Sequence, residues 1–163
     1  MIMQYETKNG DNFIDNIYGW TGGTIGSIPA GRTDDLLTIV FNELELQDPG
    51  PAMCCGDING DPNCFPVLQR KLEAGTWHDV GALQQFTGLQ KPRATCRAKV
   101  GGRETRRDYI FVNSVCLDIV QSVDTVNVAG IPTHRPVDIT TASDLTAPPG
   151  KIPQDANTRG RSL

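Results

Sequence analysis

The chain has 163 residues, which suits a single domain large enough to bury a core. Its formal net charge of -4 excludes a protein that holds nucleic acid through overall basicity, so such contacts require a local basic patch. No apolar run approaches the ~20 residues of a membrane span and no signal peptide is recognisable, so we expect an intracellular protein without a membrane partner, its five cysteines reduced.

The hydrophobic pattern predicts an α+β domain over residues 1–140 and a Pro-rich, disordered tail over 141–163. Thr33 is the predicted N-cap of the first long helix. Strands are predicted where apolar or β-branched residues run between turn residues. The predicted elements, in chain order, are a strand at 12–18, a loop at 19–31, a helix at 34–47, a strand at 52–55, a helix at 65–74, one or two helical turns at 80–86, a basic loop at 91–107, and strands at 108–112, 117–128 and 135–140.

The segment Gly56-Asp57-Ile58-Asn59 follows an apolar run, at the predicted end of a strand buried on both faces. Residues two apart on an extended chain point the same way, so Asp57 could take a proton or hold a metal while Asn59 donates to a phosphate oxygen. Gly56 leaves room for a substrate. The chain continues as Gly-Asp-Pro, which is ordinary turn chemistry, so these residues alone leave a structural turn as the alternative.

Two later segments carry further candidate groups. Asp108 opens an apolar strand after two arginines, where it could orient an imidazole or form a surface ion pair. His134, one of two histidines, lies between prolines that stiffen the backbone, and a lone histidine is more often a surface or packed residue than a catalyst. Neither segment is decisive by itself.

In this order the three segments resemble the endonuclease/exonuclease/phosphatase superfamily, which includes apurinic endonucleases, pancreatic-type deoxyribonucleases and retrotransposon endonucleases. That family has Gly-Asp-x-Asn after a buried strand, Asp-Tyr at the start of a later strand, and Ser-Asp-His-x-Pro-Val at the end. The corresponding residues here are 56–59, Asp108-Tyr109 and 132–137. The resemblance covers about 12–140. It implies part of a four-layered α/β/β/α sandwich, with the first half missing.

The resemblance also implies a mechanism, the hydrolysis of a phosphodiester or phosphomonoester by water with magnesium or manganese. By this analogy Asp57 activates the water, Asn59 binds the phosphate, and Tyr18 contacts it. His134, oriented by Asp108, stabilises charge on the phosphoryl oxygens. Such chemistry needs positioned water and concentrated positive charge more than a covalent nucleophile.

The sequence departs from the family pattern at two points. Thr133 stands where the family has an aspartate, and the glutamate that holds the metal would belong to the missing half. Fewer carboxylates weaken magnesium binding, so a catalytically inactive remnant that binds nucleic acid or protein is the alternative to an enzyme. A missing half would leave one apolar sheet face exposed, which predicts a homodimer or a partner that covers it.

The segment 91–107 carries seven cations against one glutamate, Glu104. Such a run is usually a solvated face, but beside an active cleft it could neutralise backbone phosphates. It therefore favours a nucleic-acid substrate over a lipid or inositol phosphate. A third possibility is a fortuitous α+β domain, in which the candidate site residues lie apart. The proposed phosphate-binding residues are Arg93, Arg97, Lys99, Arg103, Arg106 and Arg107.

Overall fold

The computed structural model of the protein describes residues 2–7, 10–47, 50–97, 102–128 and 133–142. Lys99 and all but the first two residues of the predicted tail lie outside these ranges. No helix in the described ranges is long and apolar enough to cross a membrane. The elements, in chain order, are β1 (Ile2–Thr7), β2 (Gly10–Tyr18), α1 (Ile28–Leu46), β3 (Ala52–Asp57), α2 (Pro66–Glu73), β4 (Trp77–Asp79), α3 (Gln84–Thr87), β5 (Asp108–Asn113), α4 (Ser114–Leu117), β6 (Val120–Thr125) and β7 (Val137–Thr141).

Five strands form a mixed sheet in the order β1-β2-β3-β5-β4. Strand β2 runs parallel to β3, and β5 runs antiparallel to β3. Because of these directions, the carboxyl ends of β2 and β3 and the amino end of β5 meet at one edge of the sheet. Tyr18 is there the register partner of Asp57, and Asp57 is the partner of Asp108.

The main sheet is covered on both faces by apolar packing. Alternate residues of β5 point to opposite faces, as the strand period of two requires. Phe111 packs in the cluster formed with α1 and α2, whereas Ile110 and Val112 pack in the cluster formed with β6 and β7. The result is a helix–sheet–sheet arrangement. The expectation of an exposed apolar sheet face is therefore wrong at β3 and β5, where Met53, Ile110 and Val112 are buried by the second sheet.

Helix α1 begins earlier than predicted. Its N-cap is Ser27, whose side-chain oxygen accepts a hydrogen bond from the Ala30 backbone N–H at 3.1 Å. Pro29 lies in the first turn, where a missing N–H costs nothing. The predicted cap, Thr33, is instead buried inside the helix, and its hydroxyl accepts from the Trp20 backbone N–H at 2.9 Å. The prediction of a loop to residue 31 and a cap at Thr33 is thus wrong.

The strand predicted at 117–128 is shorter and follows a helical turn. The Asn113 side chain accepts from the Cys116 backbone N–H at 2.8 Å, which starts α4 and delays β6 to Val120. Strand β1 has no counterpart in the prediction, because its sequence lacks an apolar pattern long enough to signal a strand. It pairs antiparallel with β2 at the edge of the sheet. The remaining predicted helices and strands are confirmed to within a few residues.

Candidate active site

The sheet edge described above brings Tyr18, Asp57 and Asp108 together. Asp57 is 8% exposed, whereas Tyr18 is 70% exposed and lies at the mouth of the cleft. Gly56 has a φ of 136°, and a Cβ there would lie 2.0 Å from the Ile17 carbonyl oxygen. Only glycine fits this close approach of β2 and β3, so Gly56 sets the register that places Asp57 beside Tyr18.

The buried residue Thr95 holds the segment that carries His134 next to Asp57 and Asp108. The Arg135 backbone N–H donates to the Thr95 carbonyl at 2.7 Å, which fixes the segment that carries His134. The Thr95 hydroxyl accepts from the backbone N–H groups of Arg107 and Asp108, each at 3.0 Å. Thr95 therefore ties the histidine segment to the start of β5. The local sequence carries no signal of this role, because it depends on contacts between segments far apart in the chain.

The imidazole of His134 lies between the two aspartates. Its Nδ1 is 2.9 Å from Oδ2 of Asp108, and its Nε2 is 3.8 Å from Oδ2 of Asp57. A carboxylate accepts and does not donate, so the short contact places a proton on Nδ1. Nε2 is left facing the cleft beside Asp57. The site thus contains an oriented imidazole next to a second, more buried carboxylate.

Asn59 is held in the left-handed region at φ 53° by three hydrogen bonds. Its backbone N–H donates to Asp57 Oδ1 at 2.7 Å, and its side-chain Nδ2 donates to the Gly19 carbonyl at 2.8 Å. The Arg107 guanidinium donates to the Asn59 carbonyl at 2.9 Å. Since Nδ2 carries two hydrogens, one N–H of the amide remains for another acceptor. The contact with Arg107 has no signal in the local sequence.

Burial raises the pKa of the Asp57 carboxyl above its ordinary value, and the neighbouring charge of Asp108 raises the pKa further. The Asn59 N–H, His134 and Arg107 act in the opposite direction without cancelling the rise. A raised pKa makes Asp57 a stronger base than an exposed carboxylate. The electrostatics therefore suit proton acceptance at this position.

The cleft in front of these groups has a volume of about 680 Å³ and is lined by Tyr18, Asp57, Asp108, Thr133 and His134 among others. Ligand atoms of Asp57, Asp108 and His134 lie within 4.8 Å of one another. The two carboxylates fit a divalent cation that keeps most of its water ligands, as Mg²⁺ and Mn²⁺ do. Thr133 contributes a hydroxyl where a third carboxylate would strengthen the site.

The arginines proposed to bind phosphate fall into two groups, those paired with an acidic side chain and those that are not. Three of them are held by acidic side chains: Arg93 by Asp124 at 2.5 Å, Arg97 by Glu104, and Arg106 by Asp79 through two contacts of 2.6 Å. Arg103 and Arg107 have no carboxylate partner among the residues that the structure describes, and both line a second cleft next to Asn59. The basic segment is thus partly structural.

All five cysteines are described and none forms a disulfide. Burial raises the thiol pKa of Cys54, Cys55, Cys96 and Cys116, so these thiols stay protonated and unreactive at neutral pH. This agrees with the reduced state expected from the sequence, and the chemistry of the cleft therefore rests on the aspartates, the asparagine and the histidine.

Solved structures share this fold. The catalytic domain of Xenopus laevis APE2 matches with a TM-score of 0.65 and 17% identity, over 87% of this chain and 54% of that one. The 3′ phosphatase NExo from Neisseria, bound to a product DNA hairpin, matches with a TM-score of 0.59 and 15% identity, over 86% and 64%. An endonuclease/exonuclease/phosphatase family protein from Leptotrichia buccalis matches with a TM-score of 0.57 and 12% identity, over 86% and 51%.

No protein-family model matches the sequence, and no curated protein is significantly similar to it. The chain spans about half to two thirds of the length of the solved structures that it matches. It has part of the endonuclease/exonuclease/phosphatase fold, so the predicted α+β architecture and the resemblance based on three motifs are confirmed at the level of the fold.

Proposed function

We propose that the protein is a metal-dependent phosphoesterase that hydrolyses phosphodiester bonds of nucleic acid. The observation that carries the proposal is the convergence in one cleft of Asp57, Asp108 and His134, which are far apart in the chain, with Asn59 hydrogen-bonded to Asp57 beside it. The fortuitous-domain alternative required these residues to lie apart. The fold and the DNA-bound neighbour support phosphoester chemistry on nucleic acid.

In this proposal Asp57 accepts a proton from the attacking water through Oδ2, which lies 3.8 Å from His134 Nε2. The water oxygen bonds to phosphorus as the P–O bond to the leaving strand breaks, and the leaving oxygen takes a proton from solvent. His134 presents Nε2–H to a phosphoryl oxygen as negative charge develops, and Asp108 orients and stabilises the imidazolium. The remaining amide N–H of Asn59 contacts the phosphate, and the exposed Tyr18 hydroxyl contacts it from the rim. A divalent cation held by the two carboxylates would supply further positive charge to the phosphoryl oxygens.

The test is cleavage of a fluorescent duplex with an abasic site or a nick, and of a generic phosphodiester, with Mn²⁺ or Mg²⁺. The variants are Asp57→Asn and His134→Ala. The chain offers matched controls in Asp35→Asn, exposed on α1, and His78→Ala, whose ring contacts Ser114 at the far edge of the sheet. Metal-dependent cleavage that both site variants abolish and both controls keep would support the proposal. Equal activity of site and control variants would refute it.

The second candidate is a nucleic-acid- or protein-binding module without catalysis. The observation that favours it is Thr133 in the cleft, where a third carboxylate would hold the metal more tightly. A folded protein that binds DNA but cleaves no phosphodiester with either metal would establish this alternative. The proposed homodimer or covering partner is tested separately by the mass of the protein in solution.

A further inference from the structure

A second cleft is lined by Asn59 and, among the described residues, shares no lining residue with the cleft of the candidate active site. Its volume is about 720 Å³, and its lining includes Gly23, Gly60, Arg103 and Arg107. We call it the arginine groove. Asn59 lines this groove while Asp57, two residues earlier, lines the catalytic cleft. Because the Asn59 backbone N–H donates to Asp57 at 2.7 Å, the two clefts meet at one turn, and a polymeric substrate can contact both.

One side of the groove is rigid peptide backbone. Gly23 and Gly60 form a parallel backbone bridge. A Cβ on Gly60 would lie 2.7 Å from the Gly23 carbonyl oxygen and 2.6 Å from the ring of Phe65. Because both strands of this bridge are packed so closely, the shape of the groove is preformed and does not depend on flexible side chains.

The charges along the groove leave two arginines available. Arg106 is engaged by Asp79, and Glu104 is engaged by Arg97 and Arg135. Asp61 caps the short 3-10 turn at Pro62–Cys64 through its side chain. Within the described residues, Arg103 and Arg107 are thus the groove cations without a carboxylate partner, and Asp61 is the one lining acid that no arginine pairs with. An anionic group is favoured there.

The groove also has an apolar rim. Ile25 lines it and is 76% exposed. A cationic wall and an apolar edge together match the two parts of a nucleotide, its phosphate and its base. From this combination we propose that the arginine groove binds the nucleotide that flanks the scissile phosphodiester, with the flanking phosphate at Arg103 and Arg107. The inference deepens the proposed function, on which it rests.

Arg107 connects the groove to the catalytic cleft. Its Nη1 donates to the Asn59 carbonyl, and Asn59 in turn donates to Asp57. The Nη2 and Nε groups of Arg107 donate no hydrogen bond to the described residues that would compete with a phosphate oxygen. Arg103 is exposed and makes no such connection. Substitution of Arg103 therefore tests phosphate binding alone, whereas substitution of Arg107 affects both phosphate binding and the position of the Asn59 turn.

The experiment measures binding without turnover, by fluorescence anisotropy of a labelled single-stranded oligonucleotide in EDTA. Salt titrations compare wild type with Arg103→Gln, Arg107→Gln and Arg70→Gln, the last a charge-matched control exposed on α2. A second oligonucleotide carries a neutral methylphosphonate at the flanking linkage. We expect each groove substitution to weaken binding several-fold and to lower the salt slope by about 1 more than the control does. Both oligonucleotides should bind equally to a double variant that carries Arg103→Gln and Arg107→Gln together.

Three outcomes would refute the proposal that the arginine groove binds a nucleotide. They are no binding by wild type, groove variants that bind like Arg70→Gln, and equal binding of both oligonucleotides by wild type. If Arg107→Gln disturbs the Asn59 turn, Arg103→Gln alone decides, because Arg103 contacts no described part of that turn. Failure of the proposed function has a different signature. In that case the anisotropy results hold while neither Mn²⁺ nor Mg²⁺ produces cleavage that depends on Asp57 and His134.

Discussion

Replacing Asp57 by asparagine should stabilise the fold while it abolishes cleavage. The carboxyl is buried beside Asp108, and burial raises its pKa. The folded state therefore penalises the ionised form of the Asp57 carboxyl more than the unfolded chain does. An asparagine has the same shape and keeps an Oδ1 that accepts from the Asn59 N–H, so the turn is retained while the buried charge is lost.

The sign of the effect with pH follows from linkage. A carboxyl whose pKa is higher in the folded state contributes stability below its unfolded pKa, near 3.8, and loses it as pH rises through the folded value. The gain from Asp57→Asn should therefore be largest at neutral pH and shrink as pH falls toward 3.8. Relief of a functional-site penalty of this kind amounts to ~0.5–2 kcal/mol, or about 2–6 °C in melting temperature.

Urea unfolding of wild type and Asp57→Asn, at neutral pH and near pH 3.8, would measure the difference in their free energies of unfolding. Asp35→Asn, an exposed aspartate on α1, controls for the loss of one negative charge. A variant less stable than wild type at neutral pH would refute the reasoning, since it would show that contacts of the Asp57 carboxylate outweigh its burial. If Asp57→Asn is more stable than wild type by the same amount at both pH values, the added stability does not come from removing the ionised carboxylate.

Three further predictions concern the same molecule. Asp108→Asn should lower kcat about 10²–10⁴-fold, because the imidazole of His134 loses the negative charge that stabilises its protonated form, and steady-state kinetics with unchanged circular dichroism would show it. Arg106→Gln should cost ~3–5 kcal/mol in urea unfolding, because it leaves the half-buried Asp79 carboxylate unpaired; a loss below 1 kcal/mol would contradict the ion pair. Thr133→Asp should tighten Mn²⁺ binding in calorimetry at least several-fold by adding a carboxylate to the cleft, and unchanged affinity would show that the metal lies elsewhere.

The parts of the fold that could be predicted are those whose signal is local. A short apolar run predicts strand β3, an apolar face at helical spacing predicts helix α2, and both are confirmed. The start of α1 could not be predicted in this way. Thr33 has the chemistry of an N-cap, but its hydroxyl is used by the Trp20 N–H, 13 residues earlier in the chain. Only the tertiary arrangement decides between Ser27 and Thr33.

The basic segment shows the same limit for the candidate site. The sequence gives seven cations between residues 91 and 107 but no information on their partners. In the structure the Arg106 guanidinium lies over the Tyr109 ring at 4.3 Å and pairs with Asp79. Its positive charge is therefore neutralised within the protein. Arg107, the next residue, points to the Asn59 carbonyl instead. Adjacent arginines therefore have different roles, and a count of charges cannot separate them.

The turn and the candidate active site, which the sequence presents as alternatives, are the same structure. Asp57 accepts from the backbone N–H two residues later, as aspartates do in ordinary turns, and this bond holds Asn59 at a positive φ. The same bond leaves Oδ2 of Asp57 facing His134. Turn-forming residues at 57–60 therefore do not argue against function here. A substitution that breaks the turn must also move the carboxylate, so stability and activity at Asn59 cannot be separated, whereas at Asp57 they can.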